Sequence, residues 1–295
     1  TPPLRGSLPP EGAGPALGRP GSWPGLACTL RRRAGRFFSN KEFTMSTWDW
    51  QVFCKDTIDG EVRPSCFGEG GDITYLDWLL SAWGWTLSVA VLALVVALVV
   101  GSLMGIFRTT PSKALVAIGN VWTELFRNIP LLVQVFLWYH VLPALIPALK
   151  DFPSFILVVF ALGFFTSARI AEQVRAGIQS LPKGQRYAGL AMGLTLPQTY
   201  RYVLLPMAFR IVIPPLTSES MNIIKNSSVA FAVSIAELTM FAMQAQEETS
   251  RGIEIYIAVT ALYALSAFGV NRVFALIEKK MRVPGFIVSA GTGGH

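Results

Sequence analysis

The run Leu87–Phe107 contains no charged residue. A membrane-spanning helix needs about 20 predominantly apolar residues, so this stretch by itself commits the chain to a bilayer. Trp83 and Trp85 precede it where an interfacial aromatic belt would lie, and Arg108 closes the other end. Gly101-Ser102-Leu103-Met104-Gly105 supplies a small-residue face on which a second helix can pack. Composition agrees: 52% of residues are hydrophobic and only 15% charged, with a mean hydropathy of +0.47, against roughly 25% charged in an ordinary soluble domain.

The same reading yields four more spans. After a link containing Pro111 and Lys113, Ala114–Phe126 reads as an interfacial helix leading into a second span from Ile129 to Ala148, which Pro130, Pro143 and Pro147 bend or end. A third begins near Phe152, runs uncharged to Ala168 and continues as a polar helix through Arg169, Glu172 and Arg175 towards Gln179. A fourth covers Met207–Lys225, interrupted by Pro214-Pro215, with Pro197 and Pro206 bracketing a turn and the helix start before it. Ser227–Phe241 is too short to cross again and reads as re-entrant or surface-lying. Ile255–Asn271 forms the centre of the fifth span. The fold class is an all-α integral membrane protein with about five transmembrane helices.

Charge placement orients it. The net charge is +7, but residues 1–44 hold seven Lys or Arg against two acids, so the rest carries 18 basic against 16 acidic groups and loses any nucleic-acid signature. Residues 45–77 hold seven acids and two basic residues and belong outside. Arg108, Lys113 and Arg127, then Lys183, Arg186 and Arg201, then Lys279, Lys280 and Arg282 mark the cytoplasmic side, which puts the N-terminus outside and the C-terminus in the cytoplasm. Cys54 and Cys66 share the acidic stretch; in an oxidising compartment they would be able to pair, although spacing alone does not establish it and free thiols are the default reading.

Chemistry is sparse. The two histidines, His140 inside a span and His295 at the terminus, assemble no catalytic or metal cluster, and His140 reads as a polar packing residue. No Gly-x-x-x-x-Gly-Lys-Ser/Thr occurs, so this chain has no phosphate loop for ATP. Ionisable groups at span centres cost about 2.5–3.5 kcal/mol unless they face protein or water. Arg169, Glu219, Asn222 and Lys225 are therefore candidates for a polar passage, with Gln134, Ser227 and Ser228 as uncharged additions. The alternative is mutual pairing, or for Arg169 a local bond to Glu172.

Between the third and fourth spans lies the polar segment Gly184-Gln185-Arg186-Tyr187-Ala188-Gly189-Leu190-Ala191-Met192-Gly193, followed by Arg201-Tyr202-Val203-Leu204-Leu205-Pro206. Its spacing resembles the cytoplasmic signature of membrane subunits of ATP-driven, binding-protein-dependent importers: Glu-Ala-Ala, three residues, Gly, nine residues, Ile, any residue, Leu-Pro. Here Tyr187-Ala188-Gly189, Gly193, Val203 and Leu205-Pro206 hold those places; Tyr187 replaces the opening Glu and Gly189 the second Ala. Glu124-Leu125-Phe126-Arg127-Asn128-Ile129-Pro130 upstream, and Pro214-Pro215-Leu216-Thr217-Ser218-Glu219 with Lys225-Asn226-Ser227-Ser228 downstream, extend the likeness to the polar amino-acid branch, closest to glutamate/aspartate permeases.

The resemblance implies a type I importer permease fold (MetI-like) in a bacterial inner membrane, set in lipid. It implies partnership with a cytoplasmic ATP-binding subunit that holds ATP and Mg, with a second permease subunit and with a periplasmic amino-acid-binding protein. The chain itself then carries no cofactor and is not an enzyme. Arg186, Tyr187, Ala188, Gly189, Gly193, Leu205 and Pro206, within a coupling loop at 182–206, become ATPase-coupling residues. In the wider branch the place of Arg169 is commonly aromatic, so a guanidinium there implies an acidic amino-acid substrate. The likeness also makes Met45 the natural amino terminus and residues 1–44 a disordered or non-native extension, followed by an outer segment at 45–78, a permease domain at 79–283 and a tail at 284–295. A secondary transporter protomer and a non-transporting receptor or scaffold are the rival readings.

Overall fold

A computed structural model describes residues 48–281. The expectations for residues 1–44, for Met45, Arg282 and His295 and for the tail at 284–295 lie outside them.

Helix α1 spans Tyr75–Phe107 and starts at Tyr75 rather than Leu87. The reason is a capping box: the Thr74 hydroxyl accepts the Asp77 N–H, while the Asp77 carboxylate accepts the Thr74 N–H at 3.1 Å. At 33 residues α1 is about 50 Å long, well beyond the roughly 30 Å hydrocarbon core. Helix α4, Ser154–Gln179, lies against it. A Cβ on Gly101 would meet Ile170 Cβ and the Ser167 carbonyl at 2.7 Å, and one on Gly105 would meet Val174 Cβ at 2.7 Å. The expected small-residue face is a helix-packing face.

Helix α2, Lys113–Asn128, and helix α3, Leu131–Leu145, meet at 105° across Ile129-Pro130. Gln134 secures the break, its Nε2 donating to the Phe126 and Ile129 carbonyls at 2.7 and 3.0 Å. Helix α3 contains a π-turn, Leu137–Val141, in which the Leu142 N–H reaches the Leu137 carbonyl. The wide turn makes room for Pro143, which has no N–H and would crowd the carbonyl four residues back.

The same device recurs in α6. After the short helix α5, Lys183–Ala191, the chain enters α6 at Leu196 with Thr195 and Gln198 as a capping box and Pro197 in the first turn. It passes through a π-turn at Tyr200–Leu204, then Pro206, Pro214 and Pro215, and ends as a 3₁₀ segment at Ser227–Val233. Pro206 therefore does not open this helix, and Pro214-Pro215 does not interrupt it; the π-turn absorbs the first proline, and the second pair lies inside a continuous helix. Ser234 in the left-handed region turns the chain by 55° into α7, Leu238–Thr249. Leu238, Phe241, Ala242 and Ala245 are fully buried, so Ser227–Phe241 is not surface-lying. Helix α8 is Gly252–Met281.

Three helices, α1, α4 and α8, are each long and apolar enough to cross a bilayer, and the bent pairs α2–α3 and α6–α7 raise the number to as many as five. The expected five are met when each bent pair counts as one span. Ahead of α1, Trp50–Cys54 forms a 3₁₀ turn and a disulfide joins Cys54 to Cys66, resolving the question the spacing left open. Arg63 sits among Asp59 at 2.8 Å, Asp72 at 2.9 Å and Asp56 at 3.5 Å. The Asp49 N–H to Glu254 and the Tyr75 hydroxyl to Glu248 fasten this segment to the α7–α8 turn.

Candidate functional site

Helix α5 stops because of its glycine. Gly193 has φ +83°, the left-handed conformation that L side chains resist; its N–H reaches the Leu190 carbonyl and the Leu194 N–H reaches that of Gly189, a Schellman closure. Gly189 has a different purpose. A Cβ there would lie 2.8 Å from Thr199 Cγ2, so its absence lets α5 fold tightly onto the first turn of α6. The result is a hairpin of two short helical arms that carries large apolar side chains on its outer surface: Tyr187 is 66% exposed, Met192 80% and Tyr202 63%.

Ala188 and Leu190 are exposed beside Tyr187, and Arg186 is half-buried, with its Nε shielded and unpartnered. The exposed Arg201 stacks 5.6 Å above the Tyr202 ring. Leu205 and Pro206 stand apart from this surface, just beyond the π-turn, with Leu205 against the inner core and Pro206 exposed.

The passage candidates come from two helices. Glu219, Asn222 and Lys225 repeat every three residues along α6, and Arg169 faces them from α4. The Arg169 guanidinium lies 3.5 Å from Glu219, whose other oxygen accepts from Gln173 at 3.2 Å. Mutual pairing is therefore present and the local Arg169–Glu172 bond is not. Glu172 instead binds Arg108 at 2.9 Å, Arg127 at 3.6 Å and Arg175 at 3.9 Å. Arg169 keeps 44% of its side chain exposed, 5.7 Å from the Phe165 ring centroid. Lys225 is exposed and makes no ion pair among the described residues; Asn222 is half-buried.

Three weaker candidates are occupied elsewhere. Gln134 holds the α2–α3 break, and the Ser227 and Ser228 hydroxyls donate to the Ile224 and Lys225 carbonyls of their own turn. His140 is exposed on the π-turn of α3, its ring centroid 5.9 Å from that of Phe136 and 4.7 Å from that of Tyr139. Sequence reasoning missed Gln173 and gave Arg108 only a topological meaning. It also passed over Glu237, a fully buried carboxylate accepting from the Thr239 and Met240 N–H groups and the Tyr263 hydroxyl. An acid twelve residues beyond the predicted fourth span, inside the segment 227–241 and followed by Leu-Thr, was a legible cap signal.

The chain is 40% identical over 248 residues to the glutamate/aspartate import permease protein GltJ of Escherichia coli K12, covering 81% of this chain and 96% of that one. It is 37% identical over 198 residues to the probable glutamine ABC transporter permease protein GlnM of Bacillus subtilis, covering 66% and 90%. A crystal structure of an amino acid ABC transporter with histidines superposes with a TM-score of 0.61 at 30% identity, over 70% of this chain and 95% of that one. The MetNI methionine transporter in an inward-facing conformation shares the fold, with a TM-score of 0.61 at 20% identity over 70% and 97%. Residues 97–283 match the family of binding-protein-dependent transport system inner membrane components, and the chain belongs to that family.

Proposed function

We propose that the chain is the permease subunit of an importer for acidic amino acids, glutamate and aspartate, rather than a secondary transporter or a scaffold. As a family member it is a multi-pass inner-membrane protein that does not hydrolyse ATP. The observation that carries the substrate is the 40% identity to a glutamate/aspartate import permease across nearly that protein's whole length. Arg169 supports it chemically: a permanently charged planar fork, little more than half covered, is suited to take a carboxylate bidentately. Glu219, Asn222 and Lys225 then line the same passage.

In this reading the α5–α6 hairpin is cytoplasmic and docks on a separate ATP-binding subunit that holds ATP and Mg. Tyr187, Ala188 and Gly193 form the contact, Arg186 and Arg201 meet acidic partner groups, Gly189 shapes the hairpin and Leu205-Pro206 anchors it. A second permease subunit completes the passage, and a soluble amino-acid-binding protein delivers substrate to the opposite face, where the disulfide-tied N-terminal segment lies.

The test is uptake by the complete complex in sealed vesicles. Uptake requiring ATP and the binding protein is expected; gradient-driven uptake by this chain alone would reject the reading. Arg169→Gln should lose glutamate and aspartate uptake selectively over glutamine with assembly preserved. Unchanged acidic uptake would reduce Arg169 to a helix tie through Glu219. Labelling from outside should reach a cysteine at Asp72 and spare one at Gln185; the reverse pattern overturns the orientation.

A further inference from the structure

Tyr200 sits where the hairpin meets the bundle. Immediately before it, Thr199 closes against Gly189; the Tyr200 ring then turns inward and is only 6% exposed. Its hydroxyl donates to the Thr109 carbonyl at 2.6 Å and lies 3.2 Å from Thr109 Oγ1, at the end of α1. The neighbouring Arg108 bonds Asn120 at 2.8 Å and Thr123 at 3.3 Å on α2, and Glu172 at 2.9 Å on α4. One phenol thus connects the hairpin to the point where α1, α2 and α4 are held together.

Motion has no stiff alternative route along α6. Tyr200 opens the π-turn, and Pro206 cannot donate to the Tyr202 carbonyl, so the hydrogen-bond ladder between hairpin and bundle is locally weakened. A displacement of α5 entering at Leu196 would be partly taken up as flexing at this turn. The Tyr200–Thr109 bond bypasses it.

We propose that Tyr200 is a positioning residue that makes the coupling hairpin and the inner end of α1 move as one body, so that displacement of a docked α5 reaches the Arg108–Glu172 cluster and, one helical turn away on α4, the Arg169–Glu219 pair. This rests on the docking reading above. It assigns Tyr200 no contact with substrate or with the ATPase.

The experiment uses the complete complex in proteoliposomes, measuring glutamate taken up per ATP hydrolysed together with binding of the ATP-binding subunit. Tyr200→Phe keeps the ring and removes only the hydrogen bond. Uptake per ATP should fall about fivefold, the size expected for one lost hydrogen bond, while subunit binding stays at the wild-type level. A Thr109→Cys/Tyr200→Cys pair should be similarly uncoupled and should recover when a short bismaleimide bridges the two thiols, which a purely structural role for the phenol would not predict. A wild-type ratio in Tyr200→Phe, or a bridged pair that stays uncoupled, overturns the proposal. Weakened subunit binding in Tyr200→Phe would also overturn it, by making Tyr200 part of the docking surface. Failure of the docking reading itself shows separately, as subunit binding and uptake indifferent to substitution at Gly193.

Discussion

Replacing Gly105 with alanine tests whether α1 and α4 are held apart by nothing but missing side chains. The new Cβ would sit 2.7 Å from Val174 Cβ and 2.8 Å from the Ala171 carbonyl, where ordinary contacts begin near 3.4 Å. A backbone carbonyl in a packed helix cannot swing away, so the helices must part by about 0.7 Å, forfeiting a quarter to a half of the dispersion energy along the seam. Overpacking of this kind costs about 1–3 kcal/mol, while alanine's better helix propensity returns about 1 kcal/mol. The clash wins, by about 1 kcal/mol net. Gly84 provides the control on the same helix: a Cβ there meets nothing within 4 Å, so Gly84→Ala should gain about 0.5–1 kcal/mol. Gly101 faces the same seam, and because one parting relieves both contacts, the Gly101→Ala/Gly105→Ala pair should cost less than the sum of the two. Thermal unfolding of the purified subunit in mild detergent should rank Gly84→Ala above wild type and wild type above Gly105→Ala, with steps of about 2–4 °C per kcal/mol. Uptake should fall with Gly105→Ala too, since Arg169 lies between Ser167 and Ile170, which Gly101 touches. A Gly105→Ala subunit as stable as Gly84→Ala would refute the argument that backbone contact sets the α1–α4 distance.

Gly193→Asp should insert normally, because aspartate tolerates the left-handed region and open space surrounds the position, yet abolish ATP-driven uptake; normal uptake would remove Gly193 from the docking surface. Glu237→Ala strips the half-buried Thr239 and Met240 N–H groups of their acceptor and leaves the Tyr263 hydroxyl to Thr239 Oγ1, and should cost about 2–4 kcal/mol in thermal unfolding. Glu237→Gln, which keeps an acceptor oxygen, should lose less than half of that; equal losses would contradict the capping role. In the N-terminal segment, the Ile58 N–H, with that of Asp59 and the Arg63 guanidinium, holds the Asp56 carboxyl below its ordinary range against the opposing effect of burial. A depressed folded pKa gives stability that is complete above about pH 4 and lost as pH falls through the lowered value. Proteolytic nicking of this segment should therefore rise only on acidification below that point, and Asp56→Asn should flatten the dependence.

The span positions were legible because a bilayer imposes a one-dimensional rule: an uncharged run such as Leu87–Phe107 has nowhere else to go, and a run of small residues at 101–105 has to meet another helix. The signature segment was legible for a similar reason, since Gly193 is demanded by backbone conformation, which is local. Proline was misread where its effect depended on its neighbours. Pro206, expected at a helix start, follows a π-turn that widens the helix to admit it, and Pro214-Pro215, expected to interrupt, lies inside a continuous helix; no local propensity distinguishes those outcomes from a helix boundary. The charged residues were legible, and so was mutual pairing as one of their alternatives, but not which pairing holds. Arg169, Glu172 and Glu219 offer several pairings along the chain, and only the crossing of α4 with α6, with the Arg108 end of α1 and with the Arg127 end of α2 decides that Arg169 takes Glu219 while three arginines share Glu172. Gln134 and the serines at 227 and 228 look alike in sequence as passage-lining groups. The structure gives them to backbone carbonyls instead, Gln134 across the α2–α3 break and each serine to the carbonyl three residues back, because a helix that breaks or tightens in an apolar setting has to satisfy its backbone before any polar side chain is free to face a substrate.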